Sequence, residues 1–115
     1  MSYATINPYS GETVATFDFA TDEEVRKALD NAQSAFESWG EAPFAERAAV
    51  MHKAAEILRR EKSEYARLLT LEMGKVTAEA EAEVDLSADI FDYYAKHAEA
   101  QLAPRTLDVD PATKG

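Results

Sequence analysis

The sequence contains no cysteine, which excludes a disulfide framework, a thiolate metal site and a cysteine nucleophile within it. Its four glycines, at 11, 40, 74 and 115, are too scattered to assemble a G-x-G-x-x-G fingerprint or a P-loop. There is no G-x-S-x-G nucleophile elbow either. Only two histidines occur, His52 and His97, and neither follows a glutamate by three residues, so the E-x-x-H pattern of di-metal bundles is missing. Basic residues are scarce: 12 Lys and Arg face 22 Asp and Glu, a net charge of −10. Nucleic acid and anionic membrane surfaces repel such a chain and are excluded as partners. No apolar run approaches the ~20 residues of a membrane span, and the amino terminus lacks the basic and apolar regions of a signal peptide. The expected compartment is therefore the cytoplasm.

What is present is a chain of 115 residues, 46% apolar and 30% charged, the size and composition of one globular segment. The β signal lies at the start. Tyr3–Ile6 is a short extended run, Asn7-Pro8-Tyr9-Ser10-Gly11 is rich in turn residues, and Thr13, Ala15, Phe17 and Phe19 then alternate with Val14, Thr16 and Asp18. This predicts a β-hairpin over 3–19 with one well-buried face. Thr21 and Glu24 form a capping box that opens a helix. Val25, Leu29, Ala32, Phe36 and Trp39 give it an apolar face down to Gly40, a candidate C′ residue. A second helix starts near Pro43 with Ala48, Met51, Ala54 or Ala55, and Leu58 on its apolar side. A third, shorter one runs from near Ser63 to Gly74.

The fourth helix is the longest, from about Thr77 to Ala103, before Pro104. Val76, Ala80, Val84, Ala88, Phe91, Ala95, Ala98 and Leu102 form one stripe along it. Leu86, Ile90 and Tyr93 form a second, about 200° round the helix at 100° per residue. The rest of the chain can cover only one of these two faces. The fold class is therefore mainly α, four helices behind an N-terminal hairpin, with an irregular tail over 104–115. Two side-chain groups invite a chemical reading. His52 and Glu56, four apart, read as a solvated pair. Asp85, Asp89 and Asp92 could present three carboxylates to a hard cation, but a charge run on a helix reads first as a solvated face. No catalytic, cofactor-binding or metal residue is assigned.

The order of the pieces is nonetheless distinctive. Thr5-Ile6-Asn7-Pro8-Tyr9-Ser10-Gly11-Glu12, the helix from Glu23-Glu24-Val25 to Ala35-Phe36-Glu37-Ser38-Trp39, Glu46-Arg47-Ala48, Leu68-Leu69-Thr70-Leu71-Glu72-Met73-Gly74-Lys75 and Tyr93-Tyr94-Ala95 together resemble the opening of the aldehyde dehydrogenase superfamily. The resemblance runs from about Thr5 to Leu107, and Leu71–Lys75 looks most like the succinate-semialdehyde dehydrogenase branch.

That family's members are far longer and oxidise aldehydes with NAD or NADP. A cysteine attacks the aldehyde carbon, hydride passes to the nicotinamide, and water releases the acid. The resemblance implies that this chain is a piece of the α/β dehydrogenase fold, with 21–103 a helical region of the cofactor-binding domain. It also implies that the cysteine, the glutamate base, the oxyanion-stabilising asparagine and the cofactor sheet have no counterpart here, so the chain alone is expected neither to turn over aldehyde nor to bind NAD or NADP. Leu86, counted back from Tyr93-Tyr94-Ala95, falls beside the aldehyde entrance tunnel, although plain inter-domain packing would need the same apolar stripe. Some members hold an alkali cation near the positions of Ile6 and Glu72, often through Asp where Glu72 stands, and that site is left unassigned. Two readings stay open: part of a dehydrogenase, whose partner is the remainder of that fold or another copy of the chain, or a self-standing acidic helical module that binds a partner protein.

Overall fold

A computed structural model describes residues 2–107. Two strands, β1 (Ser2–Ile6) and β2 (Thr13–Asp18), pair antiparallel, with Tyr3 opposite Phe17 and Thr5 opposite Ala15. The turn is built by Asn7. Its side-chain oxygen accepts from the Tyr9 and Ser10 amides at 2.9 and 3.4 Å, and Gly11 supplies the positive φ, +76°, that returns the chain. A bulge at Val14 follows, because Ile6 pairs with Thr13 while Thr5 pairs with Ala15. The Tyr3 ring stacks on Phe17 at 5.3 Å and meets Phe19 at 5.6 Å. The well-buried strand face expected from the alternation is not found: Phe17 and Phe19 both stay exposed. Two strands have only each other to pair with, and no helix packs on them broadly enough to cover Phe17 and Phe19.

Helix α1 (Asp22–Trp39) begins as the capping box requires: Thr21 Oγ1 accepts from the Glu24 amide at 3.2 Å, and Glu24 accepts from the Thr21 amide at 2.8 Å. The backbone amide of Thr21 and its hydroxyl hold the Glu24 carboxyl below its usual range. At the other end Gly40 is right-handed (φ −59°, ψ −32°) rather than the left-handed C′ residue expected, and the chain simply continues its curl. No residue of α1 is buried; Leu29 is 65% and Phe36 69% exposed. Helix α2 (Phe44–Arg60) starts after Pro43, and α3 (Lys62–Met73) ends at Gly74, which is the left-handed cap (φ +71°). A side chain at Gly74 would also press on the Pro8 ring, 3.1 Å from the position of its Cβ. The hairpin turn thus abuts the end of α3. Helix α4 (Thr77–Gln101) stops two residues short of the expected Ala103. Of the expected irregular tail, 104–107 is neither helix nor strand, and 108–115 lies outside the described residues.

The tertiary contact that exists is α4 laid on α2 and α3. Its buried side chains are Ala55, Ala66, Ala80, Val84 and Ala88, all small, which lets three helices approach closely. Among the described residues no large side chain is fully buried. The radius of gyration is 21.1 Å, against about 13 Å for a compact domain of this length. The exposed surface is 9535 Å², against roughly 6,200 Å² for a compact monomer of this mass. Apolar area left wet forgoes about 25 cal/mol per Å². A broad, low thermal transition is therefore expected by circular dichroism at 222 nm. A sharp, concentration-independent melt above the ordinary mesophilic range would contradict it.

Candidate functional site on the outer face of α4

The two faces of α4 have opposite fates. Ala80, Val84 and Ala88 turn inward and vanish against α2 and α3, because the sequence spaces them four apart on one side. Leu86, Ile90 and Tyr93 turn outward and remain 59, 48 and 50% exposed. The outer stripe ends in an aromatic group: the Tyr93 ring lies 4.6 Å from the His97 ring and meets Tyr94 edge-on at 5.3 Å, while its hydroxyl accepts from the Gln101 amide at 3.3 Å. Leu86 is thus placed on an open apolar face, as the sequence pattern implied.

Between the two faces runs a seam of charge. Lys62 donates to Asp85 at 2.9 Å, Arg59 bridges Asp89 and Asp92 at 2.7 Å each, and His52 Nδ1 lies 2.6 Å from Asp92. The three aspartates stay at the surface, as a solvated face would, Asp89 being 70% exposed, but each is also paired with a basic side chain from α2 or α3. Among the described residues no group of three potential ligands converges to hold a metal ion. His52 consequently turns away from Glu56, which pairs with Lys53 at 2.7 Å instead. The hydrogen bonds from His52 and then Arg59 hold the Asp92 carboxyl below the usual aspartate range. Asp89 and Asp92 in turn raise the Arg59 guanidinium, and Asp85 raises the Lys62 ammonium. Arg59 and Lys62 carried a sequence signal, a three-residue spacing that matches the four- and three-residue spacing of the aspartates. It is visible only once the two helices are known to touch.

Two further places bear on ligands. Glu72 lines an apolar hollow with Leu58, Tyr65, Leu68, Leu69 and Met73, and Ile6 is exposed at the end of β1. A second cleft, which the sequence did not disclose, lies between the first turn of α2 and the last turns of α4 around Arg47. The described residues do not fit a dinucleotide. Their strands form one antiparallel pair, and no helix start carries the glycine loop that brings backbone amides to a pyrophosphate.

A hairpin is followed by a helix with no buried residue and by three helices that pack on one another through small side chains. Residues 1–115 match the aldehyde dehydrogenase family, and the chain belongs to that family. Succinate-semialdehyde dehydrogenase (NADP+) of Deinococcus radiodurans is 45% identical over 107 residues, 93% of this chain and 22% of that protein. Succinate-semialdehyde dehydrogenase (NADP+) 1 of Mycobacterium tuberculosis is 45% identical over 108 residues, 94% of this chain and 24% of that protein. Among solved structures, succinic semialdehyde dehydrogenase of Streptococcus pyogenes, in complex with NADP+ as the cofactor, superposes with a TM-score of 0.88 at 42% identity. That match covers 94% of this chain and 24% of that one. The chain therefore spans under a quarter of the length of these relatives. No helix among the described residues is long and apolar enough to cross a membrane.

Proposed function

We propose that this chain is the amino-terminal part of a cytoplasmic, NADP-linked aldehyde dehydrogenase that oxidises succinate semialdehyde to the acid. The observation that carries the reading is the match along the whole chain to relatives of that name, four times its length. In such an enzyme residues 21–103 are the helical region of the cofactor-binding domain, and the remainder of the fold covers the exposed faces of the hairpin, α1 and α4. The exposed stripes would also serve a self-standing interaction module, but the family match favours the dehydrogenase. This segment's part in the reaction is to bind and orient: Leu86 stands in the wall of the path by which aldehyde enters. Nucleophile, base and cofactor cradle lie in the remainder.

A chimera in which residues 2–107 replace the matching stretch of the Deinococcus radiodurans relative tests this. It is expected to keep NADP-linked oxidation of succinate semialdehyde, and Leu86→Trp in it should raise KM for the aldehyde about tenfold without moving KM for NADP. The 115-residue chain alone should form no reduced cofactor and show no calorimetric binding of NADP. A folded chimera without activity, or turnover by the chain alone, would overturn the reading.

A further inference from the structure

We infer that the cleft between the start of α2 and the end of α4 is a binding site for an aliphatic carboxylate, a single carboxylate on a short apolar stem, with Arg47 as its anchor. The walls are Phe44, Met51, Tyr94, Ala95, Ala98 and Leu102, and Arg47 is the one charged group among the lining residues. Its volume is about 150 Å³, a space on the scale of the stem of a short aliphatic acid.

Lys53, Arg59, Arg60, Lys62 and Lys75 have carboxylate partners. Among the described residues Arg26, Lys27, Arg67, Lys96 and Arg105 have none but lie exposed in water, whereas Arg47 is half-buried. Arg47 has no ion pair or side-chain hydrogen bond among the described residues. Its guanidinium carbon sits 4.4 Å from the centre of the Phe44 ring, a cation–π contact that consumes none of its N–H donors. The Nε atom is covered by protein with no acceptor beside it. The cation is therefore partly withdrawn from water, where an anion gains more from it than at an open surface. The two terminal nitrogens carry no hydrogen bond and form the fork that a carboxylate accepts in two parallel bonds. An inorganic phosphate could use that fork but not the apolar walls, whereas a four-carbon acid uses both. The same chemistry is available from a free short-chain acid or from an Asp or Glu side chain elsewhere in the longer dehydrogenase.

The test is a methyl NMR titration of the 115-residue chain with butyrate, observing Ala95, Ala98 and Leu102. Saturating shifts in the millimolar range are expected, with butyramide giving none and Arg47→Met weakening binding at least about tenfold. Shifts that rise without saturating, equal shifts from butyramide, or unchanged binding in a folded Arg47→Met would overturn the site. Should that variant fail to fold, Arg47→Lys takes its place: it keeps the charge, loses the fork, and should bind more weakly than the unchanged chain. Unchanged affinity in Arg47→Lys would count against the site. Repeating the titration on the chimera assigns the source, since loss of butyrate binding there places a protein carboxylate in the cleft and retention leaves it to a free acid. This inference stands on the chain's own geometry, so an inactive chimera would not touch it.

Discussion

Leu86→Asp is expected to leave the chain monomeric at every salt concentration, whereas the unchanged chain pairs more tightly as salt rises. The outer stripe of Leu86, Ile90 and Tyr93 is about half exposed, while the inner face of α4 is already occupied by α2 and α3. A contiguous apolar face of this kind marks a contact surface. In the 115-residue chain a second copy can cover it about a two-fold axis, Leu86 meeting the partner stripe. Asp85, Asp89 and Asp92 flank the stripe, but Lys62, Arg59 and His52 already answer them, so the local repulsion is smaller than the bare sequence suggests. The net charge of −10 per chain remains. Its repulsion acts over about 10 Å at 0.1 M salt and shrinks with added salt, while apolar contact does not weaken. An aspartate buried in that contact without a partner costs about 3 kcal/mol or more, enough for a hundredfold loss of affinity. Sedimentation equilibrium of both proteins at low and high salt decides it. A strict monomer before substitution, or a dimer indifferent to it, would mean that α4 pairs through some other face or not at all.

Acid should loosen α4 from α2 and α3 well before it unwinds the helices themselves. Asp92 is held below its usual value by His52 and Arg59, so its contribution is fully present above the unfolded aspartate value, near 4, and is lost as pH falls through the lower folded value. Glu56 and Glu61 are lowered in the same sense, by Lys53 and by Arg60. On the alkaline side Lys62 is raised by Asp85 and Tyr65 by its hydrogen bond to Glu61, so their contributions hold below the unfolded values, near 10, and fade as pH rises through the folded ones. The expected profile is a plateau from about pH 5 to 9 with a fall on each side. Asp92→Asn should flatten the acid limb, and Arg59→Met should lower the plateau by leaving Asp89 unpaired and Asp92 with His52 alone. Thermal melts across pH, followed at 222 nm and by intrinsic fluorescence, measure both. A melting temperature unchanged from pH 7 to pH 3 would show that the seam contributes nothing to the docking of α4.

Much of this architecture was legible because its causes are local. The Thr21–Glu24 capping box, the Asn7 turn closed by Gly11, and the two stripes of α4 are set by spacings within one or two helical turns. The buried strand face and the left-handed end of α1 were misread for related reasons. Alternation of Ala15, Phe17 and Phe19 describes a strand that is suited to burial, and only a covering layer buries it. A glycine after a helix permits a left-handed cap without requiring one, and Gly40 stays right-handed where Gly74 does not.

By itself the sequence determined the element order, the apolar faces and the absence of a nucleophilic cysteine, since these depend on residue identity and short-range periodicity. Only the tertiary structure decided where the charges go. Asp92 lies 40 residues from His52 and 33 from Arg59, Asp89 lies 30 from Arg59, and Asp85 lies 23 from Lys62. No spacing rule reaches across such separations. Small side chains at Ala55, Ala66, Ala80, Val84 and Ala88 let α4 settle on α2 and α3, and that approach carries the aspartates to their partners, turns Leu86 outward and leaves Arg47 over its cleft. Packing sets the distances between remote groups, and Coulomb and hydrogen-bond energies act only after those distances are set.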